Sequence, residues 1–307
     1  MSILEVNNLT KKFGSFTAVD NISFSLEEGE ILGFLGQNGA GKTTTIQMLL
    51  GVLNKTSGTI FYFGKSLEKH RMEILEKVNF SSTYTNLMWW LTVKENLTFM
   101  SYLYNIPNRK KRIAEIVEIF RLQEFFHKNL TELSAGQVTR VNLAKAFLNY
   151  PKVLLLDEPT ASLDPEVAEY IRQFLLMQRE KFKTSIIITS HNMGEVEELC
   201  NRVIVIQQGK LVANDTPVEL AASIPLSHIA LIVQKGEKEA LSYFAKKKLL
   251  HKKKGNTWYI TLTTRGISAF LQDMTRQHIV YTDLNIQKPS LEDYFLQLAG
   301  EKSYETS

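Results

Sequence analysis

The segment Gly36-Gln37-Asn38-Gly39-Ala40-Gly41-Lys42-Thr43 restricts this chain more than any other feature. It follows a short apolar run, Glu30 to Leu35, and precedes Thr43 to Leu53, where apolar residues recur at helical spacing without proline. The pattern is strand, glycine-rich loop, helix. Glycines allow positive φ, so successive backbone N–H groups can converge on an anion at a helix N-terminus. In such a loop Lys42 supplies a point charge to the β- and γ-phosphates and the Thr43 hydroxyl a ligand to Mg²⁺, so residues 36–43, with Thr44 beyond them, form a candidate nucleotide cradle. That cradle requires an α/β fold with a largely parallel sheet.

The rest of the chain agrees. At 307 residues, with 44% hydrophobic and 22% charged, it is long enough for one large domain and a small one. A formal charge of +4 suits an anionic ligand but is too weak to argue for nucleic acid. A single cysteine, Cys200, excludes an internal disulfide and fits a reducing compartment. No run approaches 18 apolar residues, and the first residues carry neither a basic start nor an apolar core. Any membrane role is therefore expected to pass through a partner.

Short strands are expected over Ile3–Leu9 and Ala18–Leu26, then the strand feeding the loop, then Gly58–Phe63. Helical spacing dominates from Thr92 to about Lys128. Strands at Val153–Leu156, Thr184–Thr189 and Val203–Gln207 then alternate with helices over Pro165–Lys181 and Met193–Cys200. The turn Asn214-Asp215-Thr216-Pro217 caps a short helix that Ile224-Pro225-Leu226 ends, which sets a boundary at residue 225. Residues 226–307 read as a small α+β domain with strands at Ile229–Gln234, Thr257–Thr261 and Ile279–Ile286 and a last helix at Ser290–Leu298. The triplets Lys246–Lys248 and Lys252–Lys254 read first as a solvated helix end and hairpin, with contact to anionic headgroups as the sharper alternative.

A phosphate loop needs carboxylates, and the apolar strand Val153–Leu156 delivers two at its end. Asp157 is placed to hold Mg²⁺ through its water shell and Glu158 to orient or deprotonate an attacking water. Leu133-Ser134-Ala135-Gly136-Gln137 forms a second donor-rich turn at the start of a helix.

Together these segments resemble the ATP-binding-cassette (ABC) superfamily over residues 3 to about 215. The resemblance implies a P-loop ATPase: a mostly parallel sheet, an antiparallel β subdomain and a helical subdomain over about 85–150, within a domain spanning 1–225. It implies ATP and Mg²⁺ as cofactors. Phe13 matches the aromatic that stacks on adenine, Ser134, Ala135, Gly136 and Gln137 the signature turn, Ser162-Leu163-Asp164 the loop after the catalytic glutamate, and His191 the switch histidine. It further implies a working homodimer, or a pairing with a related ATPase, in which the signature turn closes over the partner's ATP. The expected partner is a transmembrane permease subunit, with the chain peripheral on the cytoplasmic face of the inner membrane and no nucleic acid involved.

Two departures stand out. Ala135 replaces the usual glycine, and no glutamine occurs in Phe80-Ser81-Ser82-Thr83-Tyr84-Thr85-Asn86, where the family carries one that touches Mg²⁺. The Thr83 or Ser82 hydroxyl is the expected substitute. The cluster Leu87-Met88-Trp89-Trp90-Leu91 that follows reads either as core or as a socket for a partner's helix. The C-terminal module, with Pro289 to Leu296, resembles the accessory domain of ATPase subunits from two-component bacterial exporters, which implies export and a regulatory or dimer-supporting role. The competing readings are a soluble cassette ATPase and a nucleotide-gated scaffold with vestigial hydrolysis.

Overall fold

The structure is a computed structural model of the 307-residue chain and describes residues 1–82 and 87–298. The chain divides into two compact units that meet in sequence at Thr216 and Pro217.

The first unit opens with two long antiparallel strands, β1 (Ser2–Phe13) and β2 (Phe16–Glu27). Then come β3 (Ile31–Leu35), α1 (Lys42–Leu49), β4 (Ser57–Tyr62), β5 (Lys65–Ser66), α2 (Arg71–Leu75) and β6 (Val78–Ser82). A helical portion follows, with α3 (Val93–Ser101), α4 (Arg109–Ile119) and α5 (Ala135–Ala146). The chain returns to the sheet with β7 (Val153–Asp157), α6 (Pro165–Phe182), β8 (Ser185–Thr189), α7 (Met193–Leu199), β9 (Arg202–Gln207) and β10 (Lys210–Asp215).

Two sheets result. The order β2-β1-β4-β5 is antiparallel, and β10-β9-β3-β8-β7-β6 is parallel except for the edge pair β10–β9. Strands β3 and β8 are buried at every residue and β7 at all but Asp157, as parallel strands covered on both faces must be. One core runs from Leu4, Val6 and Ile22 of the antiparallel sheet through Ile46 and Leu49 of α1 to Leu155, Ile187 and Ile204. A hydrogen-bonded pair, Arg202 to Glu30 at 2.8 Å, closes the edge between the sheets, and Glu30 also accepts the Glu27 amide at 2.7 Å. Parallel order places the C-terminal ends of β3, β7 and β8 side by side, where ligands of such sheets bind.

The second unit holds α8 (Pro217–Ala222), β11 (Leu226–Lys235), α9 (Glu237–Lys246), β12 (Leu250–Lys254), β13 (Thr257–Thr263), α10 (Ile267–Arg276), β14 (Val280–Gln287) and α11 (Leu291–Leu298). Its antiparallel sheet has the order β12-β13-β11-β14. Ile229, Leu231, Trp258 and Ile260 pack on Tyr243, Phe244, Phe270 and Met274 of α9 and α10, a core of its own.

One expectation shifts. The boundary falls at Thr216/Pro217 instead of 225, because α8 packs on α11 and so belongs with the second unit. Lys252–Lys254 lie on an exposed edge strand paired with β13; Lys253 reaches Glu237 and sits 5.3 Å from the Trp258 ring centroid. Charged edge strands resist pairing with other chains.

Candidate active site

Between β3 and α1 the chain runs through three glycines with positive φ: Gly36 at 154°, Gly39 at 79° and Gly41 at 109°. Two of them cannot be replaced without moving backbone. A Cβ on Gly36 would lie 2.2 Å from the Ile206 carbonyl oxygen, and one on Gly41 2.5 Å from that of Ala18. Gly39 has open space around it, so only its φ demands glycine. The loop is thus pressed against β9 on one side and β2 on the other, which fixes where its amides point.

Gly41 caps α1 with no side-chain hydrogen bond, and the first turn carries no acid, so the positive end of the helix is left for a ligand. Thr45, one turn in, is fully buried and donates its hydroxyl to the Gly41 carbonyl at 2.9 Å. Gln37, Asn38, Gly39 and Thr43 are exposed, Thr44 is half-buried, and Ala40 is buried beneath the loop. Lys42 folds over the loop, donating to the Gly36 carbonyl and, at 3.2 Å, to that of Gln37. Burial lowers the pKa of this ammonium, while the charges of Glu158 and Asp157 partly restore it.

At the end of β7, Asp157 accepts the hydroxyl of Thr189, its register partner on β8, at 2.5 Å. The Glu158 amide donates to the Thr189 carbonyl at 3.1 Å and lies 3.2 Å from the Thr189 hydroxyl. Glu158 has φ +53°, a left-handed backbone that non-glycine residues seldom adopt. That carboxylate meets Nε2 of His191 at 2.7 Å. His191 is 55% exposed and Glu158 26%, so the pair is open to an incoming ligand while hydrogen-bonded to each other. The two carboxylates sit at adjacent positions with different partners, Asp157 on Thr189 of the sheet and Glu158 on His191.

Ser134 starts α5 through a reciprocal capping box: its hydroxyl accepts the Gln137 amide at 3.3 Å, and the Gln137 side chain accepts the Ser134 amide at 3.0 Å. Ala135 is exposed, so its methyl meets no protein atom that would exclude it. Gly136 is different. A Cβ there would lie 2.9 Å from the Ser162 carbonyl oxygen, so the turn rests directly on the loop that follows Glu158. A polar cleft is lined by Ser134, Gly136, Gln137, Arg140, Leu163, Asp164 and Val167, and no residue of the glycine loop contributes to it.

Comparison with known proteins decides what these elements belong to. A family model described as ABC transporter matches residues 19–161. The linearmycin resistance ATP-binding protein LnrL of Bacillus subtilis (strain 168) is 33% identical over 308 residues, covering 97% of this chain and 98% of that protein. The bacitracin transport ATP-binding protein BcrA of Bacillus licheniformis is 33% identical over 309 residues, with the same coverage of 97% and 98%. The chain belongs to the ABC transporter family.

It is an ATP-binding and ATP-hydrolysing subunit. Among solved structures, the dimeric MJ0796, titled a bacterial ABC transporter cassette, superposes with a TM-score of 0.63 at 26% identity, covering 69% of this chain and 98% of that one. The cassette fold expected from sequence is the fold observed.

Phe13 is 49% exposed at the end of β1, with the Lys11 ammonium 4.8 Å from its ring centroid, so the ring is presented for stacking instead of being buried. Trp89 and Trp90 are 63% and 59% exposed and stack edge to face at 5.4 Å, which removes the core reading of that pair. Thr83, an expected metal ligand, lies outside the described residues. Cys200 is buried and its thiol is pushed up in pKa by that burial, so it has no reactive character. Thr189, which positions both Asp157 and the Glu158 amide, escaped the sequence reading because a threonine closing a buried strand carries no signal of its own.

Proposed function

We propose that this cassette works in pairs, each copy closing its signature turn over the nucleotide held by the other, beneath a transmembrane permease whose export of cargo it powers. One observation carries the pairing: the glycine loop with Lys42, Glu158 and His191 forms one half-site, while Ser134 and Gly136 line a different cleft on the same unit. Neither half encloses a triphosphate alone. The dimeric state of the solved MJ0796 cassette supports the same arrangement. The resistance and transport named for LnrL and BcrA, which resemble this chain across both of its units, support a transport role, and the Nod factor export ATP-binding protein I of Burkholderia orbicola (strain AU 1054), 36% identical over 222 residues, supports export as its direction.

In this reading Lys42 and the amides of residues 36–44 hold the β- and γ-phosphates, and Phe13 stacks on the base. The donor set suits Mg²⁺, a cation that keeps most of its waters and takes one or two protein ligands beside phosphate oxygens; Thr43 and Asp157 would hold it. When bound, the ion neutralises charge on the phosphates. Glu158 draws the proton from the attacking water and His191 orients both water and γ-phosphate, so their 2.7 Å contact opens to admit the nucleotide. Gln137 and Ser134 offer donors to the partner's γ-phosphate. The affinity of the pair for ATP over ADP then drives closing and reopening. The exposed Trp89–Trp90 pair receives the permease. That docking would hold the chain at the cytoplasmic face of the inner membrane.

Light scattering tests the pairing. Glu158→Gln with saturating MgATP should elute as a two-copy species that reverts to one copy when nucleotide is removed. A variant that stays monomeric at saturating MgATP would overturn the proposal.

A further inference from the structure

Glu195, on the first turn of α7, is 3% exposed, and among the described residues no lysine, arginine or histidine lies within ion-pair distance of it. Burying a carboxylate this way is costly unless its oxygens are satisfied. Both are. Oε1 accepts the Thr160 hydroxyl at 2.7 Å and Oε2 the Ser190 hydroxyl at 2.6 Å. The same knot continues: the Asn192 amide donates to the Ser190 oxygen at 3.1 Å, and the Glu195 amide to the Asn192 side chain at 3.2 Å.

The two hydroxyls come from different loops. Ser190 adjoins His191, and Thr160 lies two residues beyond Glu158, so the carboxylate grips both sides of the Glu158–His191 contact from beneath. Thr160 also begins the turn that ends at Leu163, whose amide donates to the Thr160 carbonyl at 3.0 Å. Within that turn the Ser162 carbonyl abuts Gly136 of the signature turn. A continuous set of packed and hydrogen-bonded groups therefore runs from His191 through Ser190, Glu195, Thr160 and Ser162 to Gly136.

We infer that Glu195 is a positioning residue that makes the histidine loop and the 160–164 loop move as one, so that γ-phosphate loss at one nucleotide shifts the signature turn gripping the other. The inference rests on the paired arrangement proposed above. A hydroxyl-to-carboxylate tie is short and directional, and each Glu195 oxygen takes one of the two hydroxyls. Cutting the tie should leave each half-site able to bind nucleotide while uncoupling the pair.

The test is steady-state ATPase activity of the purified full chain against ATP concentration. Thr160→Val removes one hydroxyl and little volume. Relative to wild type it should keep KM within about threefold, lower kcat about tenfold, and reduce the Hill coefficient from near 2 to about 1. Thr160→Ser should restore both kcat and cooperativity. Glu195→Ala, which removes both acceptors, should behave like Thr160→Val, and the double variant no worse than Glu195→Ala alone, as expected of residues acting through one tie. The inference is overturned if the wild type is cooperative and Thr160→Val keeps its kcat and Hill coefficient, or if Thr160→Ser fails to rescue. A non-cooperative wild type overturns the paired arrangement together with it, so the two failures read differently.

Discussion

Replacing Gly41 by alanine probes the loop geometry most sharply, because its cost can be worked out in two parts. The first is conformational: a φ of 109° lies outside what an L side chain adopts readily, a strain of about 1–3 kcal/mol. The second is steric: the new methyl would sit 2.5 Å from the Ala18 carbonyl oxygen, a backbone atom of β2 that cannot swing aside, and such overpacking costs about 1–3 kcal/mol. The total, roughly 2–6 kcal/mol, must appear in one of two places. If the loop holds its shape, the melting temperature falls. If it relaxes, the amides lose their aim and ATP affinity falls by about one and a half to four powers of ten, at 1.4 kcal/mol per decade. Gly39→Ala is the control, since nothing stands within 4 Å of its Cβ and only the left-handed backbone, about 1–2 kcal/mol, is affected. Calorimetric titration with a nonhydrolysable ATP analogue, with melting curves on the same samples, gives both readings. Gly41→Ala matching wild type in affinity and melting temperature would refute the argument that β2 and the loop constrain each other.

Four further outcomes are expected. His191→Ala removes the 2.7 Å contact with Glu158 and should lower kcat by about two to four powers of ten with ATP binding retained, checked by phosphate release against analogue titration. Lys145, buried on α5 with its ammonium donating to the Phe80 carbonyl at 2.8 Å, has its pKa lowered by burial to about 8. The unfolded chain then binds more protons than the folded one between about pH 8 and the unfolded value of 10.5, so stability should rise with pH across that window, and Lys145→Met should flatten the rise in urea midpoints. In the second unit burial works against the charge on Asp293, but hydrogen bonds from His228 and Ser290 outweigh it and hold the carboxyl at about 2. The depressed value means stability is present above the unfolded value of 3.8 and lost as pH falls toward 2; Asp293→Asn should abolish that acid limb in amide-exchange measurements on β11. Trp89→Ala with Trp90→Ala should change stability by no more than about 0.5 kcal/mol, as exposed side chains do, while abolishing co-purification with the permease in mild detergent.

Much of the site was legible because its chemistry is local in sequence. A loop that wraps phosphate must be glycine-rich, and a strand that delivers carboxylates to a sheet's end must be apolar before it, so residues 36–43 and 153–158 announce themselves. What stayed hidden is held by distant parts of the chain. Nothing near Gly41 indicates that Ala18 forbids a side chain there, or near Gly36 that Ile206 does. Glu195 reads as one more acid on a short helix beside Glu197 and Glu198; only the fold turns it inward to two hydroxyls. The unit boundary slipped because Pro217 caps a helix equally well in either unit, and the choice is made by packing on α11, which comes about seventy residues later. Trp89 and Trp90 were ambiguous for the opposite reason, since aromatic residues serve cores and sockets alike and exposure alone separates them.

The shared pocket is the claim on which the mechanism turns, and a disulfide cross-link between two kinds of copy tests it directly. In a Glu158→Gln background, chains carrying Ser134→Cys are mixed with chains carrying Gln37→Cys and oxidised with and without MgATP. A mixed covalent pair that forms only with nucleotide is the expected result. No mixed pair with MgATP, while each variant still binds ATP, would contradict it.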